Sequence, residues 1–234
     1  MIFFSYYNKL IAKLAYLNGI PAFLIRLYLA PIFIMAGYSK LQLSNDAVSG
    51  FSRLLATPEI VEWIGNAQWG LGLPFPELLA NLAAWSEFLG GWLLLVGLLT
   101  RLVSIPLMFT MIIAATSVHG TNGWFAITPT DPDISPAKVL VWLGVDSAEQ
   151  SLDNSLQVST RLARMRSILA ENGNTDWLYE HGSIVVLNNG IEFAATYFIL
   201  LLALFFIGAG RFTSIDHYLY NYWLRPRLTD HGFK

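Results

Sequence analysis

Residues 77–100 read ELLANLAAWSEFLGGWLLLVGLLT, and after Arg101 residues 102–118 continue as LVSIPLMFTMIIAATSV. Each stretch is apolar for about the 20 residues that a helix needs to cross the hydrocarbon core of a bilayer. Residues 20–41 and 184–210 have a similar length and character. None of the four stretches alternates polar and apolar residues as a membrane strand would. We therefore expect four transmembrane helices.

The composition of the whole chain also indicates a membrane protein. Of its 234 residues, 55% are hydrophobic and 13% are charged, whereas a soluble domain carries about 25% charged residues. Too little polar sequence remains to cover four apolar helices in water, so a soluble enzyme or a disordered chain is disfavoured. The net charge of −2 gives no basic surface for nucleic acid. The absence of cysteine excludes iron–sulfur clusters and thioether-linked haem, and a bis-histidine haem would need a second histidine near a span.

The predicted fold is an all-α integral membrane protein, a four-transmembrane-helix bundle with additional helices outside the hydrocarbon core. The predicted segments are an interfacial amphipathic helix at 1–19, spans one to three at 20–118 with an extracytoplasmic loop at 42–76, a helical extracytoplasmic insertion at 119–183, the fourth span at 184–210 and an interfacial tail at 211–234. Within the insertion, residues 148–171 have helical periodicity. Asp146 or Ser147 is the expected start of this helix, and Asn172 with Gly173 its expected end.

The two terminal segments have sequence features of interfacial helices. In the first, apolar residues recur at helical spacing, and they are Phe3, Tyr7, Leu10, Leu14 and Leu17. In the second, Thr213 to Asp216 resembles a capping box that opens a short helix rich in tyrosine and tryptophan. With four spans, both termini and the turn at 100–101 lie on one face, which carries net positive charge, while the opposite face is net negative. The positive-inside rule places the termini in the cytoplasm.

Three charged residues lie inside the predicted spans: Arg26, Glu87 and Glu192. Each costs about 2.5–3.5 kcal/mol to insert unless it finds a partner or water. Small residues surround Glu87, and Asn188 and Asn189 lie one turn from Glu192. We expect the three charges to converge on one internal polar site, where the two glutamates could transfer protons. The alternative is a buried ionic lock that only sets helix register.

A second group of residues has the chemistry of a soft-metal path. His119 ends the third span, with Met111 and Met108 below it on a similar face. Methionine at helical spacing is far more often core packing, so no metal is expected there.

Three blocks of the sequence resemble the DoxX family of small bacterial membrane proteins. The first is RLYLAPIFIMAGYSK at 26–40. The second begins EFLGG at 87–91 and ends GLLTR at 97–101. The third starts at Glu192 and ends GAGRFTSID at 208–216.

The resemblance implies a four-helix bundle in the bacterial inner membrane, associated with quinone-linked oxidoreductases such as thiosulfate:quinone oxidoreductase. On this resemblance Arg26, Glu87 and Glu192 would lie at a quinone or substrate pocket, which leaves the cofactor open between a quinone and another ligand. We add Lys40, Asn188 and Asn189 as candidate ligand-binding residues beside them. The resemblance also implies a cytoplasmic-side charge cluster of Arg101, Arg211 and Asp216. The insertion at 119–183 is longer than the family's usual connection and suggests a partner or a lid on the outer face.

Three functions follow from these expectations. The first is the membrane subunit of a quinone-linked redox system, with electrons supplied by a partner. The second is a carrier of a small solute or a metal ion. The third is a membrane anchor or assembly factor that docks a soluble partner through loops 42–76 and 119–183. The expected partners are the lipid bilayer, such a redox partner and a second copy of the chain.

Overall fold

The computed structural model describes residues 4, 6–8, 17 and 19–230, with the side chains of 228–230 excepted. In chain order the helices from residue 19 onward are α1 (Gly19–Lys40), α2 (Pro58–Gly65), α3 (Pro76–Val96), α4 (Thr100–Ile113), α5 (Ala137–Trp142), α6 (Asp146–Asn172), α7 (Thr175–Leu178), α8 (Glu192–Ile207), α9 (Ile215–Leu219) and α10 (Arg225–Asp230). Single π-helical turns follow α4 and α9, at Ala114–Val118 and Tyr220–Leu224. The chain divides into two compact units, one formed by Met1–Ile113 with Ala195–Lys234 and the other by Ala114–Ala194.

Three helices of the described chain are long and apolar enough to cross a bilayer. They are α1, α3 and the continuous helical segment Thr100–Val118, and they coincide with the spans predicted at 20–41, 77–100 and 102–118. Helix α3 ends before residue 100, because Gly97 adopts a left-handed conformation with φ of 69° and terminates it.

The fourth predicted span is shorter in the structure. Helix α8 has 16 residues, and residues 184–191 are not helical. Their backbone groups bond instead to residues 123–128: the N–H of Asn188 donates to the Ala126 carbonyl and that of Gly190 to the Phe125 carbonyl, both at 2.9 Å. This pairing prevents the helix from beginning at residue 184.

Helices α1, α3, α4 and α8 share one apolar core in the first unit. Its fully buried side chains include Phe33 of α1, Leu94 of α3, Leu107 of α4 and Leu204 of α8. Large apolar side chains on the outer faces of the same helices stay exposed, among them Leu82, Leu89 and Trp92 of α3, and Phe109 of α4. An apolar outer surface around an apolar core is the arrangement expected of helices in lipid.

Glycines bring α1 and α3 into close contact. A Cβ atom on Gly37 would lie 2.6 Å from Phe88 Cα and 2.7 Å from the Ala84 carbonyl oxygen. One on Gly91 would lie 2.7 Å from the backbone nitrogen of Ile34. Small residues at two levels therefore set the register of this helix pair.

The loop between α1 and α3 packs on the Lys40 end of these two helices. The Thr57 N–H donates to the Lys40 carbonyl at 2.8 Å, and Leu41 forms an isolated bridge with Ala56. The Trp85 indole N–H donates to the Leu54 carbonyl at 2.9 Å. These contacts form a second buried apolar cluster, which includes Leu41, Ile64 and Ala84.

Within the second unit, α6 confirms the helix predicted at 148–171. It runs from Asp146 to Asn172, so it begins at one of the two expected residues and ends before Gly173 as expected, with Val145 as its N-cap. The buried face of α6 carries Ser155, Val158 and Leu162.

The predicted terminal helices are described to different extents. Phe3, Leu10 and Leu14 of the predicted N-terminal helix lie outside the described residues, whereas Tyr7 is helical and Leu17 lies in a turn. At the other end the N-cap of α9 is Ser214, whose hydroxyl accepts from the His217 N–H. The prediction that Thr213 is the cap is therefore wrong, because both oxygens of Thr213 bond elsewhere.

We expect Gly37→Ala to destabilise the protein and Gly90→Ala to leave its stability nearly unchanged. The higher helix propensity of alanine favours the folded state by about 1 kcal/mol in both variants. Where backbone atoms block the new methyl group, overpacking lowers the stability by about 1–3 kcal/mol. A Cβ on Gly90 would meet only the ends of Val103 and Leu107, at 3.2 and 3.3 Å. Thermal unfolding of both variants in the same detergent measures the difference, and equal shifts would contradict the proposed role of Gly37.

Candidate functional site

An ion pair joins α1 to α3 in the first unit. The Lys40 ammonium donates to Oε2 of Glu87 and lies 3.5 Å from the Ala36 carbonyl oxygen. The side chain of Glu87 is 4% exposed, whereas that of Lys40 is 28% exposed. The carboxylate is thus enclosed by protein while its cationic partner remains accessible from outside.

The helix contacts explain why these two residues meet. Because Gly37 packs against Ala84 and Phe88, Lys40 lies near the level of Ala84, about one turn from Glu87. A lysine side chain is long enough to reach back along the helix by this distance. The pair therefore depends on the register that the glycines impose.

Aromatic rings lie on the residues next to this pair in sequence. The ring centroids of Tyr38 and Phe88 are 6.4 Å apart, and those of Trp85 and Phe88 are 5.8 Å apart. All three side chains are only partly buried. These rings pack against one another between α1 and α3, on residues close in sequence to the Lys40–Glu87 pair.

Arg26 does not bond to Glu87. Its guanidinium donates to the Leu94 carbonyl at 3.2 Å, to the Leu95 carbonyl at 3.3 Å and to the carbonyl and hydroxyl of Thr213 at 2.9 and 3.2 Å. Arg26 is fully buried. The expectation that Arg26 converges with Glu87 on one polar site is therefore wrong: Arg26 bonds to carbonyls at the C-terminal end of α3, where the helix dipole is negative.

Like Thr213, Asp216 joins the C-terminal segment to the helices, here at the turn between α3 and α4. Its carboxylate accepts from the backbone N–H groups of Leu99 and Thr100, at 2.7 and 3.0 Å, and so caps α4 from a distant part of the chain. Its own N–H donates to the Gly97 carbonyl at 3.0 Å. The α3–α4 turn and the C-terminal segment are joined here.

The expected charge cluster of Arg101, Arg211 and Asp216 has a different form in the structure. Arg101 donates to the Phe206 carbonyl at 3.1 Å, and the backbone of Arg211 lies against Gly19. Within the described part of the chain no ion pair joins these three residues. The connection depends on backbone groups instead.

Sequence reasoning missed Thr213 as the partner of Arg26. The glycine at position 97 could have indicated this contact. A Cβ at this position would collide with the Arg26 guanidinium and lie 2.6 Å from Ser214 Cβ. A glycine at the end of an apolar helix, next to a buried arginine, marks a close approach of this kind.

Glu192, Asn188 and Asn189 belong to the second unit. The Glu192 carboxylate accepts from the Ala126 N–H at 2.9 Å, and the Asn188 amide donates to the Asn122 and Phe125 carbonyls at 2.6 and 2.8 Å. The Asn189 carbonyl accepts from the Asn122 amide and bonds to the His119 ring. These bonds hold segment 122–126 against 188–192, and a role of the three residues in ligand binding stays a prediction.

The candidate metal residues have other contacts. Met108 and Met111 pack against the apolar core of the first unit, and Nδ1 of His119 bonds to the Asn189 carbonyl at 2.9 Å. Among the residues that the structure describes, no three or more His, Asp or Glu side chains group as metal ligands.

Comparison with known proteins agrees with the expected family. The model of the DoxX family matches residues 22–120, a range that contains the first two of the three resembling blocks and both residues of the Lys40–Glu87 pair. No curated protein and no solved structure matches the chain significantly.

We expect Arg26→Lys to loosen the C-terminal segment, because a compact ammonium cannot span the carbonyls of α3 and Thr213 as a planar guanidinium does. Hydrogen bonds from charged groups contribute about 1.5–3 kcal/mol each, so the thermal midpoint falls and trypsin cleaves faster after Arg211. Arg101→Lys is the matched control, since Arg101 donates to a single carbonyl. If both variants behaved alike in the two assays, Arg26 would have no special role.

Proposed function

We propose that this chain, whose residues 22–120 match the model of the DoxX family, is the membrane subunit of a quinone-linked redox system. The Lys40–Glu87 pair is its intramembrane ligand and proton site. Electrons come from a partner protein, since the residues of the site are not redox-active. The chain acts as a multi-pass protein of the bacterial inner membrane.

The observation that carries the proposal is the asymmetric burial of the pair. A charged residue within a membrane helix is costly and marks a functional site by default. A buried ion pair is also a poor way to stabilise a fold, because well-packed apolar residues of similar volume do so equally well or better. The partly exposed Lys40 ammonium beside an enclosed Glu87 carboxylate is better explained by binding than by packing.

The residues at this site fit a quinone head group. Its carbonyl oxygens are hydrogen-bond acceptors, and the lysine ammonium has three donors, of which Glu87 and the Ala36 carbonyl take at most two. The partly buried rings of Tyr38 and Phe88 offer a flat apolar surface for a planar ring. A bound quinone would supply the electron acceptor.

The roles of the two side chains follow from their chemistry. Lys40 orients an acceptor oxygen by a hydrogen bond and stabilises negative charge that develops on it. Glu87 passes a proton to the reduced ligand. Arg26 is left out of the ligand site, because its guanidinium serves the opposite end of α3.

The topology is part of the proposal. With α8 as a fourth span and both termini in the cytoplasm, the Lys40 end of the bundle faces the periplasm. At 1.5 Å per residue the 16 residues of α8 extend about 24 Å, somewhat less than a typical hydrocarbon core, and a modest hydrophobic mismatch of this size is tolerated.

The carrier alternative requires a path that continues through the Arg26 end of the bundle. There Arg26, Thr213 and Asp216 connect α1, α3 and α4 to the C-terminal segment. This network weighs against a solute path, so we favour the redox subunit over the carrier.

The free energies of unfolding of three variants test whether the Lys40–Glu87 ion pair is needed for stability. We expect Lys40→Met to be the most destabilising, by about 3–5 kcal/mol, because it leaves a buried carboxylate without its partner. Glu87→Gln costs less, since the remaining ammonium is partly exposed. The double variant Lys40→Met/Glu87→Met recovers the stability of the parent protein. Reversible unfolding in detergent measures all three.

The quinone content of the same proteins tests the function. Lipid extracts of the purified parent protein are expected to contain a quinone at a ratio approaching one per chain, and those of the stable double variant to lose most of it. Lys138→Gln/Asp133→Asn is the matched control, because it removes an exposed ion pair outside the proposed site. A double variant that kept the parent's quinone, or a parent with none, would show that Lys40 and Glu87 form only a structural lock.

A further inference from the structure

A short apolar projection stands out on the surface of the second unit. We call residues 139–145 the apolar tip; its exposed apolar side chains are Val139, Leu140, Trp142, Leu143 and Val145. Trp142 is 73% exposed and Leu143 is 74% exposed. Side chains of this size and character are seldom left so open to water side by side.

The local structure shows that this exposure is built in. Helix α5 ends at Trp142, its C-cap is Leu143, and the next residue, Gly144, has φ of 80°. The Val145 N–H donates back to the Leu140 carbonyl at 3.0 Å, and the Gly144 N–H donates to the Val141 carbonyl at 2.9 Å. These two bonds form a Schellman motif, which satisfies the backbone at the end of the helix and projects Trp142 and Leu143 outward.

The base of α5 is held firmly by the rest of the second unit. Ala137 and Ser135 are both buried, and the Ser135 hydroxyl accepts from the Ala137 N–H at 3.3 Å. The short helix therefore has a fixed base and a free apolar end.

The charges around the tip argue against attraction to an anionic surface. Lys138 donates to the Asp133 carboxylate at 2.6 Å, a hydrogen bond that lowers the pKa of Asp133 and keeps it ionised. Asp131 and Asp146 flank the same segment. The surroundings are thus neutral to acidic, and any attraction must come from the apolar side chains.

We propose that the apolar tip inserts into the head-group region of the bilayer that holds the protein's own helices. The second unit is joined at one end to the membrane-spanning segment Thr100–Val118 and at the other to the apolar helix α8. Both connections keep it close to a lipid surface, whose effective concentration for the tip is therefore very high. Tryptophan is the residue that favours this interface most clearly. Because the flanking residues are not basic, insertion does not require anionic lipid, and a zwitterionic bilayer is enough.

Single-cysteine spin labelling tests this insertion in the intact protein. The chain contains no cysteine, so a nitroxide on Leu143→Cys reports one position. In phosphatidylcholine nanodiscs we expect this label to collide several-fold more often with lipid-soluble oxygen than with a water-soluble nickel chelate. Asp153→Cys, at an exposed polar position of α6, is the matched control and is expected to show the opposite preference.

Each outcome of this experiment is decisive. The proposal is supported if Leu143→Cys, and Val139→Cys on the same helix face, both report a lipid environment that is unchanged when phosphatidylglycerol is added. Labels at both positions with the aqueous profile of Asp153→Cys would overturn it. Labels shielded from both reagents would also overturn it, because the tip would then be covered by protein, either a second copy or another chain.

Discussion

Close packing of α1 against α3 is the constraint on which the described bundle depends. Gly37 and Gly91 let the two backbones approach to a distance that a single methyl group would prevent. In lipid, helices gain little from burying apolar surface against each other, so tight van der Waals contact has to hold them together. The register that results brings Lys40 to Glu87 near one end of the pair and Arg26 to the end of α3 at the other.

The two charged groups in this helix pair solve the same physical problem in different ways. Arg26 is fully buried, and its cost is offset by four hydrogen bonds to carbonyl and hydroxyl oxygens that α3 and the C-terminal segment leave available. Glu87 has a charged partner instead, and that partner is partly exposed. The first arrangement uses both terminal nitrogens of the guanidinium, leaves only its Nε without a partner and suits a structural role, whereas the second can still accept a ligand.

The connections between distant segments are made mainly by polar side chains that bond to backbone. Asp216 caps α4, Arg26 caps α3, and Glu192 holds the Ala126 N–H within the second unit. Side chains of this kind satisfy helix ends and loop backbone where no water is at hand. Short irregular segments can therefore lie next to membrane helices without leaving their backbone groups unpaired.

The sequence by itself indicated a membrane protein, and it determined the three long apolar helices, the likeness to the DoxX family and the long helix of the insertion. These depend on local hydrophobicity, helical periodicity and short motifs, which a linear chain displays directly. It also singled out Arg26, Glu87 and Asp216 as unusual. Only the tertiary structure decided their partners, because a hydrogen bond between residues as far apart as Arg26 and Thr213 depends on helix register and on where α3 ends. The late start of α8 has the same origin, since residues 184–191 are apolar enough for a helix but pair with a segment that no local pattern identifies.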